Sequence, residues 1–207
     1  MRRARLGDAH PQTVQVVVNM AGALQLSGRY TEAQSLYREG LAMHREVYGN
    51  EHPLVATALG NLALVEHELH NDRESERLFR EALAIERQRY GESHLSVAIS
   101  TSGLAKALQG QRRFTEAEQL FRQAITIERS VAGEDHPSVG VDTSNLADCL
   151  MDMQRYGEAE PLLVEAERLL IASSGESHPR VAKTRRRLAR LYRARNRPDR
   201  AAKYERS

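Results

Sequence analysis

The chain has 207 residues, a formal net charge of +2, 41% hydrophobic and 28% charged residues, and no Trp. No apolar run approaches the ~20 residues of a membrane-spanning helix, and the basic start Met1-Arg2-Arg3-Ala4-Arg5-Leu6 lacks the apolar segment of a secretion signal. The single Cys149 excludes an intramolecular disulfide and fits a reducing compartment, so the expected location is cytoplasmic and the core, with aromatics at 5%, must be aliphatic.

In chain order, apolar residues recur at three- and four-residue steps over paired stretches. The first pair is predicted over 11–26 and 31–48, the second over 53–69 and 73–90, the third over 95–108 and 115–131, and the fourth over 137–153 and 157–172. Residues 179–195 form a fifth first helix and 198–206 a shortened partner. Between pairs lies one corner: Gly7-Asp8-Ala9-His10-Pro11, Gly49-Asn50-Glu51-His52-Pro53, Gly91-Glu92-Ser93-His94, Gly133-Glu134-Asp135-His136-Pro137 and Gly175-Glu176-Ser177-His178-Pro179. The period is 42 residues, in the range of stacked repeats. Gly ends one helix and Pro opens the next, where its missing N–H costs nothing. One all-helical domain over 1–207 is expected, with repeats at about 10–51, 52–93, 94–135, 136–177 and a terminal 178–207.

Aligned by the period, Asn19, Asn61, Gly103, Asn145 and Arg187 share a column. Ala21, Ala63, Ala105, Ala147 and Ala189 form a small-residue column, and Tyr37, Phe79, Phe121 and Leu163 a large one. Small and large columns together are what a packed core of stacked helices needs.

Leu104-Ala105 with Leu108, and Ala117 with Phe121 and Ala124, resemble the tetratricopeptide repeat pattern. The turns Gly28-Arg29-Tyr30 and Gln154-Arg155-Tyr156 look like the turn of that family. The 42-residue period and the Gly-x-x-His-Pro corner are similar to the variant in kinesin light chains and many bacterial proteins. The resemblance implies an all-α, right-handed superhelix of antiparallel helix pairs, with the first helices lining a concave groove. Glu66 and Asn71-Asp72 depart from the pattern, so the second repeat is expected to be looser or bent. Met1 aligns with Met43, so residues 1–6 match the last turn of a second helix. This suggests the C-terminal part of a longer protein, or an open end that packs on something, a second copy included. The ending resembles the close of bacterial proteins whose repeats follow a Ser/Thr kinase domain, though no Gly-rich loop or catalytic-loop motif is present.

The chemistry-bearing residues read mostly as structure. The corner His residues are separated by stacked helices and cannot converge on one metal; they are expected to satisfy helix starts. His67 and His70 lack a third ligand. Cys149 sits among core positions and reads as an inert buried thiol. Glu32, Glu116 and Glu158 favour the helix dipole. No phosphate loop or dinucleotide fingerprint exists. No cofactor and no catalysis are expected.

The resemblance implies that the Asn column holds a bound peptide's backbone. The expected peptide-binding residues are Asn19, Asn61, Asn145 and Arg187, flanked by Gln15, Gln25, Lys106, Gln109, Asp148, Lys183 and Arg190. The alternative is that Asn19, Asn61 and Asn145 tie one repeat to the next. From His178 to the C-terminus twelve Lys or Arg face only Asp199 and Glu205. A cationic groove end would select an acidic partner. Nucleic acid is the competing partner, disfavoured by the near absence of aromatics for base stacking.

Overall fold

In the computed structural model, residues 11–205 are described. The expected turn over 1–6, the corner at Gly7–His10 and Arg206 lie outside them. Among the described residues ten helices run in order: α1 Pro11–Leu26, α2 Tyr30–Tyr48, α3 Pro53–Glu68, α4 Asp72–Tyr90, α5 Leu95–Gly110, α6 Phe114–Ala132, α7 Pro137–Asp152, α8 Tyr156–Ser174, α9 Pro179–Ala194 and α10 Pro198–Glu205. No strand occurs among the described residues. Each boundary falls within two residues of the periodicity reading.

Two kinds of stop make the hairpins. Each first helix ends on a residue with positive φ: Gly28 (75°), His70 (61°), Arg112 (64°), Gln154 (61°) and Asn196 (55°). At Gly28 its N–H bonds Gln25 O at 3.0 Å and the Arg29 N–H bonds Leu24 O at 2.9 Å. The same two bonds recur at His70, Gln154 and Asn196. This is the Schellman closure of a helix C-terminus. Each second helix instead ends on Gly49, Gly91, Gly133 or Gly175, with φ between 76° and 94° and ψ near 180°. Only Gly takes up that region readily, which explains why the corner keeps Gly while the tighter turn does not.

The starts are equally regular. His52 Nδ1 accepts the Leu54 N–H at 3.2 Å, His94 that of Ser96 at 3.1 Å, His136 that of Ser138 at 3.3 Å and His178 that of Arg180 at 3.2 Å. Each ring satisfies one of the orphan donors of a helix N-terminus. The second turn is not loose. Asn71 opens α4 at φ −87°, ψ 52°, against −83°, 60° at Arg29 and −84°, 56° at Arg155. Glu66, buried where the pattern has Tyr or Leu, accepts from Gln34 Nε2 at 2.8 Å, Arg38 Nη2 at 2.8 Å and Asn71 Nδ2 at 2.9 Å. The polar substitutions at Glu66 and Asn71 thus compensate one another. A Cβ at Gly110 would collide with the Asp72 carboxylate, so Gly there accommodates the other departure.

The chain divides into two compact units, residues 1–92 with 106–111, and 93–105 with 112–207. In the first, α1 packs on α2, α2 on α3 and α3 on α4. In the second, α6 packs on α7, α7 on α8, α8 on α9 and α9 on α10. The aligned columns form both cores. Ala21, Ala63, Ala105 and Ala147 are fully buried, as are Ala117, Phe121, Leu163 and Ala166. Ser75, in an Ala column, donates its hydroxyl to Ala63 O at 2.8 Å, which removes the cost of burying it.

Candidate functional site

The Asn column runs along the first helix of each hairpin, and the two units treat it differently. In the first unit the face is open. Asn19 on α1 is exposed and accepts from Gln15 Nε2 at 2.8 Å. Gln25 Oε1 accepts from the Tyr37 hydroxyl at 2.9 Å. Asn61 on α3 is half-buried, and among the described residues no side chain or backbone group bonds its amide. An amide carries two donor hydrogens and an acceptor oxygen, so Asn61 presents unused hydrogen-bonding capacity. Lys106 and Gln109 on α5 are half-buried and already engaged in polar interactions. His67, nearly two turns beyond Asn61, pairs with Asp72 at 2.5 Å.

In the second unit the same column is built into a ladder across three first helices. Ser102 Oγ on α5 donates to Asp142 Oδ1 on α7 at 2.6 Å. Asn145 Nδ2 donates to the same oxygen at 3.0 Å. Arg187 Nη2 on α9 donates to Asn145 Oδ1 at 3.1 Å and to Asp148 Oδ2 at 3.0 Å, and Nη1 donates to Ser144 Oγ at 2.8 Å. Arg190 pairs with the other Asp148 oxygen. Asn145 is only 4% exposed, and both ends of its amide are engaged. Burial lowers the Arg187 pKa, and the Asp148 carboxylate opposes that shift by stabilising the cation. Lys183 and Arg190 stay exposed on the same helix, so they and not Arg187 are the accessible cations of this face.

The remaining groups are placed as structure. Cys149 is buried and its thiol is pushed up to about 12, first by burial and then by the carboxylates of Asp152, Glu118 and Asp148. Such a thiol is not a nucleophile near neutral pH. Glu32, Glu116 and Glu158 are clasped by Arg29, Arg113 and Arg155, each through two bonds. Among the described residues no three His, Cys, Asp or Glu side chains converge as metal ligands, and no helix is long and apolar enough to cross a membrane. The alternative reading of the Asn column, bonding between repeats, holds at Asn145, but periodicity missed the other members of the ladder. Its signal was the polar run Asp142-Thr143-Ser144 on a helix face that carries Ala58, Leu59 and Gly60 in the second repeat.

Paired antiparallel helices of fixed length, closed by one corner and one turn, define a helical-hairpin repeat protein. The tetratricopeptide repeat family model matches residues 12–88, 73–130 and 141–207, and the chain belongs to that family. Solved structures share the fold. The Podosopora anserina putative kinesin light chain with nearly identical TPR-like repeats is 24% identical, over 94% of this chain and 92% of that one, with a TM-score of 0.71. BtubC (BKLC) from P. vanneervenii is 22% identical, over 93% and 77%, with a TM-score of 0.75. A Rap protein complexed with competence and sporulation factor is 15% identical, over 91% of this chain and half of that one, with a TM-score of 0.81. No curated protein matches the chain.

Proposed function

We propose that the protein is a non-enzymatic interaction scaffold that binds a peptide segment of another protein along its first-helix faces. The observation that carries this is the unpaired, accessible amide of Asn61 beside the exposed pair Gln15–Asn19. Amides grip a peptide backbone through its N–H and C=O, without regard to sequence. Gln25, Lys106 and Gln109 flank them in the first unit. In the second, Lys183 and Arg190 meet acidic side chains of the ligand, with Asp148 positioning Arg190 and Asn145 and Arg187 bracing that helix face. The Rap protein of similar fold was solved in complex with a competence and sporulation factor, which agrees with a ligand-holding role for such a scaffold. We assign no catalytic step. A single whole-protein role as the interaction part of a larger bacterial signalling protein is compatible with this scaffold. A second copy of the chain is a further candidate partner.

The test begins with partner capture from the source organism, followed by titration of the captured segment. Asn61→Ala is expected to weaken binding about tenfold, the loss of one or two hydrogen bonds, with melting unchanged. Binding to the intact chain that ignores Asn61→Ala would contradict the reading. Nucleic-acid binding would show instead as a steep loss of affinity with salt.

A further inference from the structure

We propose that the turn between α3 and α4, in the first unit, is a carboxylate-binding recess whose donors are Arg73, His70 and Arg38. The inference does not depend on the Asn61 reading, since it rests on other side chains. A recess of about 580 Å³ opens at this turn. It is bounded by Arg38 of α2, Glu66 of α3, His70, residues 71–74 at the start of α4, and Gln111. The opening has a cause in the sequence. At three other turns an Arg precedes the second helix and clasps the Glu three residues on: Arg29 with Glu32, Arg113 with Glu116 and Arg155 with Glu158. Asn71 stands in that place here, and its short amide turns to Glu66 at 2.9 Å. Glu74, three residues on, is held by Arg77 instead, at 2.9 and 2.7 Å. The second repeat thus lacks the guanidinium that the other turns carry at this point.

What the recess can hold follows from which groups are already engaged. Each carboxylate in its wall has a partner. Glu66 accepts from Gln34, Arg38 and Asn71. Both oxygens of Glu74 are taken by Arg77, and Asp72 Oδ1 pairs with His67 at 2.5 Å. Gln111 gives its amide to Asp72 O at 3.2 Å and to Glu76 at 2.6 Å. The donors are not used up. Among the described residues the side chains of Arg73 and His70 bond nothing. Arg38 bonds only through Nη2, and 58% of its side chain is exposed. The start of α4 has no side-chain cap, and the positive end of a helix favours an anion. The open capacity of the recess is therefore that of a donor, with Arg73 as the cation that has no counter-ion. A single carboxylate fits it. Two parallel N–H bonds from an Arg match its two oxygens, and the spare N–H groups of Arg38 and the His70 ring remain for the other lone pairs. A phosphate dianion would bring a second charge beside Glu66, Asp72 and Glu74 and is the poorer fit. A ligand cation would meet only carboxylates that already have a partner.

The measurement follows the side-chain resonances of His70 and Arg73 in the intact chain by NMR, while sodium acetate replaces sodium chloride at fixed pH and ionic strength. A saturable shift at both residues is expected in the millimolar range. Arg73→Gln should weaken acetate by about tenfold or more, because it removes the ionic partner. Arg73 is exposed, so the substitution leaves the core intact. Arg73→Lys keeps the charge and loses the fork, and should fall between the two. Arg180→Gln, at another exposed Arg without a side-chain partner among the described residues, should bind acetate as the wild type does. The amide of N-acetylglutamate separates the sources of the carboxylate. Tighter binding than acetate assigns the recess to an acidic side chain of a protein partner, and equal binding assigns it to a free small acid. The absence of a saturable shift would overturn the inference. So would saturation untouched by Arg73→Gln, or a saturable response to methylammonium or phosphate that exceeds the response to acetate.

Discussion

Asn61 and Asn145 occupy one column of the repeat and have opposite fates. Asn61 sits among Ala, Leu and Gly on its helix, and among the described residues nothing bonds its amide. Asn145 sits beside Asp142 and below Arg187, and is locked between them. The neighbour in the column register, not the residue itself, decides whether the fold uses up an amide. Asp142 supplies the acceptor and Arg187 the donor. In the register of Asn61 those two positions are held by Ala58 and Gly103, which offer no polar side chain. Of the two readings left open by the sequence, inter-repeat bonding is present at Asn145 in the second unit, and the ligand contact proposed above falls to Asn61 in the first.

The largest expected effect lies in the second unit. Asp148→Ala would leave Arg187 buried without its counter-ion, and loss of one partner of a buried pair costs about 3 kcal/mol or more. Chemical denaturation should show it, with the transition attributed to the second unit moving first. Lys106, the counterpart of Asp148 in the third repeat, belongs to the first unit and is itself a cation, so it cannot play that part.

The corner histidines provide an internal control of intermediate size. His52 caps α3 in the first unit and His178 caps α9 in the second, with the same geometry. His52→Ala and His178→Ala should each cost about 1 kcal/mol, while Asn at either position retains the acceptor and most of the stability. Unequal losses would mean that the two units are not built on the same cap.

A smaller contrast is expected with pH. His44 is buried, and its Nδ1 lacks a hydrogen-bond partner. Burial, and after it the charge of His52, lowers its pKa. The neutral ring is thus the form that the fold favours, and the unfolded chain takes up the proton first as pH falls. Stability is complete above the ordinary His value of about 6.5 and declines below it, levelling off beneath the lowered folded value. The second unit has Glu128 and Leu170 at this position of the repeat, and neither is a His. Melting followed from about pH 7.5 to about pH 5.5 should decline in the wild type, and His44→Leu should flatten that part of the decline.

The hairpins were legible because the 42-residue period carries both stops and starts in the same letters. The turn residue of the first helices was only partly legible. Gly28 and Asn196 are residue types that favour the left-handed conformation, but Arg112 and Gln154 adopt it without a residue type that announces it, and His70 announces it only weakly. The supposed weakness of the second repeat was misread for a related reason. Glu66 and Asn71 look like defects singly and become a bonded pair only when α2 brings Gln34 and Arg38 to them. Of the site, periodicity supplied the column but not the bonds across it. Those depend on side chains 39 to 43 residues apart that no local spacing connects.

The most direct measurement compares Asn61→Ala with Asn145→Ala in one protein, recording both ligand affinity and thermal unfolding. Asn61→Ala is expected to reduce affinity and leave the melting temperature unchanged. Asn145→Ala, which removes one hydrogen bond each from Asp142 and Arg187, is expected to cost about 1–3 kcal/mol of stability. Equal loss of stability in both variants, or loss of affinity in neither, would contradict the division of the column into a ligand-facing half and a structural half.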